Sequence, residues 1–292
     1  MANDNNNYDL QAESGTDTYT AWRPPHPDSQ SETPAQSSFQ SPSPTPIIDP
    51  SIYPSGSKSL SGISLRAFGL GTTLGLSSAL SLSLIFLRDE PHYLWRLPFF
   101  LSSLALFHFL EFYTTAAHNT SEATVSAFLL TSNGWAYNIA HISAAVECLF
   151  AYIFCPRDSY FEITGPVLGI KIQVLVGLLL VGIGQVVRTL AMAQAGSNFN
   201  HMVQTERKDG HRLVTHGVYG VLRHPSYFGF FWWGLGTQLV LGNVGCLAGY
   251  AIVLWNFFNS RIRREERFLI EFFGDEYLVY KKKSWVGIPG IA

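Results

Sequence analysis

Residues 216–229, HGVYGVLRHPSYFG, gather His216, Tyr219, Arg223, His224 and Tyr227 at the mouth of a strongly apolar stretch. Further along, NSRIRREERF sets Arg261 and Glu265 four residues apart, on one face of a helix. These types supply a cation that can hold an anion, a carboxylate that can accept hydrogen bonds, and rings with polar tips. Metal ligation fits poorly, because His211, His216 and His224 lack i, i+4 spacing and no HExxH or paired Cys/His set occurs. Nucleophilic hydrolysis has no GxSxG elbow to work with. The glycines of GLGTTLG, 69–75, lie inside an apolar run with no strand before them, which excludes a dinucleotide loop. What remains is a pocket of Arg, His, Tyr and Glu beside an apolar hairpin. It suits a small polar cofactor from water and an apolar substrate from a membrane.

The elements that must position these groups are membrane helices. Of 292 residues 47% are hydrophobic, 14% aromatic and only 14% charged, against roughly 25% charged in soluble domains. Residues 68–87 contain no ionisable group, a length that crosses a bilayer core of about 30 Å. Further apolar segments follow at 97–117, 134–154, 166–191, 226–241 and 244–259. The expectation is an all-α polytopic protein with about six (five to eight) transmembrane helices and an active site built from its C-terminal half. Pro166 suits a helix start, and Gly242-Asn243 reads as the turn of a hairpin over 226–259. Each arm of that hairpin covers only about 24 Å. The stretch 120–133 reads as re-entrant or interfacial. Gly69, Gly71, Gly75, Gly177, Gly182 and Gly184 would allow close helix packing in lipid.

Three regions result. Residues 1–60 are rich in Ser, Pro, Gln and Asn and should be a disordered cytosolic tail. Residues 61–165 carry N-terminal transmembrane helices, and 166–292 the catalytic region, ending in an amphipathic segment. In that segment Phe268, Leu269, Phe272 and Phe273 would lie on the hairpin or the membrane surface. Net charge is −2, so nothing points to nucleic acid, and Cys148, Cys155 and Cys246 read as small core residues. Basic residues Arg207, Lys208, Arg212 and Arg223, then Arg261, Arg263, Arg264, Arg267 and Lys281–Lys283, put the pocket side in the cytosol. Both termini share that side, and the sequon at Asn119 would stay unmodified there.

Other polar residues have ordinary explanations. Glu111, Glu147, His108 and His141 lie in or near apolar helices, where such groups mark function or pair across a bundle. Arg188 can snorkel, Arg223 can bind a phosphate or snorkel, Trp232 and Trp233 can anchor the hairpin at headgroup level, and Lys281–Lys283 can face lipid headgroups. His216 caps or packs and is left out of the site.

Three segments carry a resemblance. AGSNFNHMVQTE, HRLVTHGVYGVLRHPSYFGFFWWGLGTQLVLGN and FFNSRIRREERFLIEFFGDEYLVYKKK together resemble the isoprenylcysteine carboxyl methyltransferases of the endoplasmic reticulum. The likeness is close over about 165–292 and general before that. RHPxYxG alone is shared with membrane sterol reductases and phospholipid methyltransferases, so an NADPH-dependent sterol reductase and a phospholipid N-methyltransferase are the rival readings. The resemblance implies methylation of the C-terminal carboxylate of a prenylated cysteine by S-adenosylmethionine, after CaaX processing. Substrates would be prenylated proteins such as Ras-like and Rho-like GTPases, and the site an endoplasmic reticulum membrane. Carried over by motif, cofactor contacts would be Gln204, His211, Arg212, Leu213, Val214, Tyr219, His224, Pro225, Ser226, Tyr227 and Glu265. Arg261 would hold the substrate carboxylate and, with Glu265, serve catalysis, and no metal is implied. The lipid entrance does not map residue by residue.

Overall fold

The computed structural model describes residues 49–87, 92–155, 166–167, 170–207 and 209–292. The tail expected over 1–60 therefore falls outside it up to residue 48, as does Lys208. Seven helices follow in order: α1 Leu60–Phe86, α2 Arg96–His118, α3 Trp135–Phe154, α4 Ile172–Ala195, α5 Pro225–Leu241, α6 Gly245–Phe273 and α7 Asp275–Lys283. The one sheet among the described residues is a two-residue antiparallel pairing of Pro166–Val167 with Ile170–Lys171. Helix α4 accordingly starts at Ile172 rather than at Pro166.

Helices α1 to α4 are each long and apolar enough to cross a membrane, and the chain is a multi-pass membrane protein. The 17 residues of α5 cover about 25 Å, whereas the 29 of α6 cover about 44 Å. Helix α6 does not stop where its apolar part ends. The second arm of the hairpin and the amphipathic segment are one continuous helix, broken only at Gly274 before α7.

In lipid the burial of apolar surface gives little drive for helix association, so close backbone packing must supply it. Helices α4 and α5 achieve this through two glycine pairs. A Cβ on Gly184 would lie 2.6 Å from the Gly229 carbonyl, and one on Gly177 would lie 2.8 Å from that of Gly236. The other glycines expected to pack behave differently: added Cβ atoms on Gly69, Gly71, Gly75 and Gly182 meet nothing within 4 Å. Helix α1 contacts α2 through polar side chains instead, Ser78 to Ser102 at 3.1 Å and Ser81 to the Trp95 carbonyl at 3.0 Å.

The α5–α6 turn is pinned from both sides. Gly242 adopts φ 77°, a left-handed helix end. Arg96 and Tyr93 of the α2 region both donate to the Leu241 carbonyl at 3.3 Å, satisfying an end of α5 that lipid could not. Glu147 of α3 accepts from the backbone amides of Val244, Gly245 and Cys246 at 2.8, 2.8 and 2.6 Å. A carboxylate thus caps the N-terminus of α6, where the helix dipole favours negative charge. Glu147 is a structural group.

Residues 120–133 turn back into the bundle. Two 3-10 turns bury Ala127 and Phe128, whose carbonyl bonds His108 Nδ1 at 2.8 Å. Trp233 is 1% exposed and stacks on Phe107 at 4.7 Å, so it is core rather than a headgroup anchor. Trp232 donates to the Gly287 carbonyl, holding a C-terminal tail whose Val286, Ile288 and Ile291 pack on α5 and α6.

Gly229→Val is expected to lower the melting temperature in detergent, an overpacking cost of about 1–3 kcal/mol or more. Gly182→Val, with open space at its Cβ, should leave the melt unchanged.

Candidate active site

Helix α5 begins at Pro225, whose fixed φ suits a first helical position, and His224 precedes it at the N-cap. That start aims the first turn at α6, just past Phe258, where the apolar run of α6 ends. Arg261 and Glu265 meet Tyr227 there. The Tyr227 hydroxyl donates to Glu265 Oε2 at 2.5 Å and accepts from Arg261 Nε at 2.8 Å. The expected i, i+4 pair is therefore bridged by one phenol. His224 lies flat on Tyr227, rings 5.5 Å apart, with Nδ1 3.9 Å from Glu265.

Two cavities meet at this bridge. The first, roughly 880 Å³ with its open mouth, is lined by all eleven residues expected to touch a cofactor: Gln204, His211, Arg212, Leu213, Val214, Tyr219, His224, Pro225, Ser226, Tyr227 and Glu265. The second, roughly 1800 Å³ with its open mouth, runs between α3, α5 and α6 and is walled by apolar side chains, with Arg261 at its upper end. Tyr227, Ser226, Phe199 and Asn200 line both. Glu265 faces only the first and Arg261 only the second.

The first cavity has features that suit a polar, aromatic-bearing cofactor. Asn198 fixes the entering loop by accepting from the Arg212 amide at 2.9 Å. His211 stands edge-on to Phe273 at 5.3 Å. Tyr219 donates to the Ala191 carbonyl at 3.3 Å, and burial, aided by the Glu265 carboxylate, pushes its phenol well above the ordinary tyrosine value. Helix α6 supplies Phe268, Leu269, Phe272 and Phe273 to the wall, and α7 adds Tyr277 and Tyr280. These six were not assigned from sequence. The apolar face of the amphipathic stretch covers the cavity, not the membrane surface, and only its i, i+3/i+4 spacing hinted that it had a face to cover. His216 stays outside, exposed at the N-cap of a 3-10 turn.

The partition between the cavities, residues 199–201, is held from below. Glu111 of α2 and Arg188 of α4 form a buried, two-pronged ion pair, and Glu111 also contacts His201 Nε2 at 2.9 Å. Arg188 extends to the Ser226 carbonyl at 3.2 Å. It does not snorkel; it is 7% exposed. The His201 carbonyl in turn accepts from Arg261 Nη2. Asn119 donates to the Phe199 carbonyl at 3.0 Å and accepts from Ser121, which commits the sequon's amide to the fold. His108 and His141 pack around Tyr137, His108 Nε2 at 3.0 Å from its hydroxyl, and take no part in the junction.

A second buried carboxylate braces the other side. Glu266 accepts from Arg223 at 2.6 Å, lies 3.3 Å from His224 Nε2 and pairs with Lys281. Arg223 also donates to the Ser284 carbonyl at 2.8 Å, so it is a tie between loop, α6 and tail rather than an anion site. Of the three lysines, Lys281 is part of this cluster, while Lys282 and Lys283 are exposed. Burial raises the Glu266 pKa, but His224, Lys281 and Arg223 outweigh it and hold it at about 2.

A folded-state value below the ordinary 4.5 stabilises the fold fully above pH 4.5 and less as pH falls toward 2. Glu266→Gln, which leaves Arg223 buried without its anion, should cost about 3 kcal/mol or more at pH 7. The gap between the melts of wild type and variant should narrow as the pH is lowered below 4.5.

Comparison with known proteins agrees with this geometry. Residues 175–271 match the isoprenylcysteine carboxyl methyltransferase (ICMT) family. A protein-S-isoprenylcysteine O-methyltransferase of Saccharomyces cerevisiae is 48% identical over 192 residues, covering 66% of this chain and 79% of the relative. The Homo sapiens enzyme of that name is 41% identical over 232 residues, 78% of this chain and 75% of the relative, so the likeness reaches well ahead of residue 165. A solved structure of the eukaryotic intramembrane Ras methyltransferase ICMT superposes with a TM-score of 0.68 at 37% identity, covering 79% of this chain and 77% of that one. The chain belongs to the isoprenylcysteine carboxyl methyltransferase family.

Proposed function

We propose that the chain methylates the C-terminal carboxylate of prenylated cysteine in CaaX-processed proteins, with S-adenosylmethionine as methyl donor. The observation that carries this reading is the meeting of an open cavity of mixed polar and aromatic lining and a strongly apolar one across Phe199, Asn200, Ser226 and Tyr227, with Glu265 on one side and Arg261 on the other. A cofactor that is polar and a substrate that is mostly hydrocarbon need that arrangement and little else.

When bound, S-adenosylmethionine supplies a methyl group on a cationic sulfonium, and its transfer to a carboxylate leaves two neutral groups. The first cavity fits such a donor: aromatic edges for the purine, the backbone of Leu213 and Val214 for its hydrogen-bonding edge, and the Glu265 carboxylate for amino or hydroxyl groups. A carboxylate is already a nucleophile at neutral pH, so no general base is required. The work of the side chains is alignment. Arg261 offers a planar fork to the substrate carboxylate, a role for which lysine is a poor substitute. Its hold must stay moderate, since gripping the carboxylate more tightly than the neutralising transition state would slow the reaction. Here the Tyr227 hydroxyl and the His201 carbonyl already occupy two guanidinium nitrogens, which fixes the fork's direction and limits its remaining donors. The Phe257 and Tyr227 rings, 5.8 and 5.4 Å from the guanidinium carbon, keep the cation from water.

The second cavity is the berth for the prenyl chain, and the gap between α3 and α6 its entrance from lipid. The substrate proteins are prenylated GTPases of the Ras-like and Rho-like kind. The enzyme resides in the endoplasmic reticulum membrane with the reaction centre and both termini toward the cytosol, an orientation supported by exposed Arg207, Arg212, Arg263, Arg264 and Arg267 at that end.

Purified protein given labelled methyl donor and a farnesylcysteine analogue should form base-labile methyl ester; base-stable label on phosphatidylethanolamine would overturn the assignment. Arg261→Ala and Glu265→Ala should each lower turnover by at least 100-fold, equivalent to about 2.7 kcal/mol or more, with melts close to wild type. Arg261→Lys should recover only part of the loss. Substantial turnover by Arg261→Ala would remove the carboxylate-aligning role.

A further inference from the structure

The wall that α6 gives to the apolar cavity is graded. Arg261, Phe257, Val253, Gly249 and Gly245 repeat every four residues along a ridge that winds gradually round α6, and all five line the cavity. Side chains on this ridge are large near the reaction centre and absent at the far end. An added Cβ on Gly249 would meet nothing within 4 Å, and Gly249 lines the cavity, so the missing side chain leaves open space there, not a packed contact. Beside it, Tyr250 is nearly buried and faces His141 of α3 with ring centroids 6.0 Å apart, so this level is otherwise walled by rings. The far end is closed by Glu147 on the backbone of Val244–Cys246.

The vertical scale is set by α6 itself. At 1.5 Å per residue, Gly249 lies about 18 Å below Arg261 and Gly245 about 24 Å below. An extended chain advances roughly 3.8 Å per three covalent bonds, so a farnesylcysteine measures about 19 Å from carboxylate to tip and a geranylgeranylcysteine about 24 Å. The shorter chain ends at Gly249, and the fourth isoprene unit falls between Gly249 and the Glu147 cap. Facing this interval is α3. Because Glu147 touches Gly245 and the two helices run antiparallel, Ser143, one turn earlier, stands opposite Gly249, and it too is small and lines the cavity.

We infer that Gly249 is the specificity-determining residue for chain length: its missing side chain admits the fourth isoprene unit, and Ser143 completes the opening. This rests on the assignment of the apolar cavity to the prenyl chain. Side chains grown at position 249 should exclude twenty-carbon chains, press only on the tip of fifteen-carbon chains and leave ten-carbon chains in place.

The test is methyl transfer to geranyl-, farnesyl- and geranylgeranylcysteine analogues by full-length wild type, Gly249→Ala, Gly249→Leu and Ser143→Leu. The geranylgeranyl-to-farnesyl ratio of kcat/KM should fall at least tenfold in Gly249→Leu and less in Gly249→Ala, with a smaller loss on farnesyl, and with turnover of the geranyl substrate, whose chain stops short of this level, within about threefold of wild type. Ser143→Leu should shift the ratio the same way from the opposite wall, so the test survives if Gly249→Leu does not fold. A ratio unchanged within twofold across the set, or a parallel loss for all three substrates in both leucine variants and Gly249→Ala, would overturn the inference. Failure of the wild type to methylate any of the three would instead overturn the assigned activity.

Discussion

The buried pair between Glu111 and Arg188 organises the centre of this protein. Two charges inside a membrane bundle are costly unless each finds its opposite, and the low dielectric that makes them costly also makes the pair directional once formed. Glu111 and Arg188 join α2 to α4, and Arg188 reaches the first turn of α5 through the Ser226 carbonyl. The remaining capacity of Glu111 goes to His201, and the His201 carbonyl meets Arg261 on α6. One ion pair therefore connects four helices to the loop that separates the cavities. Arg261 lies at the end of a chain of contacts that starts at Glu111, 150 positions earlier in the sequence.

Around that centre, glycine and carboxylate play complementary parts. Paired glycines bring the backbones of α4 and α5 together, which fixes where Pro225 can start its helix and hence where Tyr227 points. Carboxylates then close what lipid leaves open: Glu147 the start of α6, Glu266 the space between Arg223, His224 and Lys281. Helix α6 is held at its first residues by one and in its sixth turn by the other, with Arg261 and Glu265 immediately before the second clamp.

Much of the junction was legible in the residues. The motif around His224 and Tyr227, and the spacing of Arg261 and Glu265, pointed to residues that the fold brings together, because local sequence fixes which groups share a helix face. The hairpin turn was legible for the same reason, since Gly242 and Asn243 act through their own backbone. What stayed hidden was pairing at a distance. Arg188 looked like a snorkelling residue because nothing in its neighbourhood names a partner 77 positions away. Trp233 looked interfacial because tryptophan usually is, and Phe268 and Phe272 were open to the hairpin or the membrane surface because an apolar helix face does not say what covers it. Helix α4 began late, at Ile172, since a proline permits a start without compelling one.

Helix α5 has a length that sets it apart from its neighbours. It covers about 25 Å beside α1 and α4, which cover roughly 40 and 36 Å. A short span is accommodated by local thinning of the bilayer at modest cost. With its far end tied to Arg96 and α3, the deficit falls at the Pro225 end, where both cavities meet. Thinning of the bilayer there would bring the water–lipid boundary toward Tyr227. A lipid-anchored chain end carried in the plane of the membrane would find its carboxylate already at the depth of Arg261, with its hydrocarbon never lifted out of the bilayer.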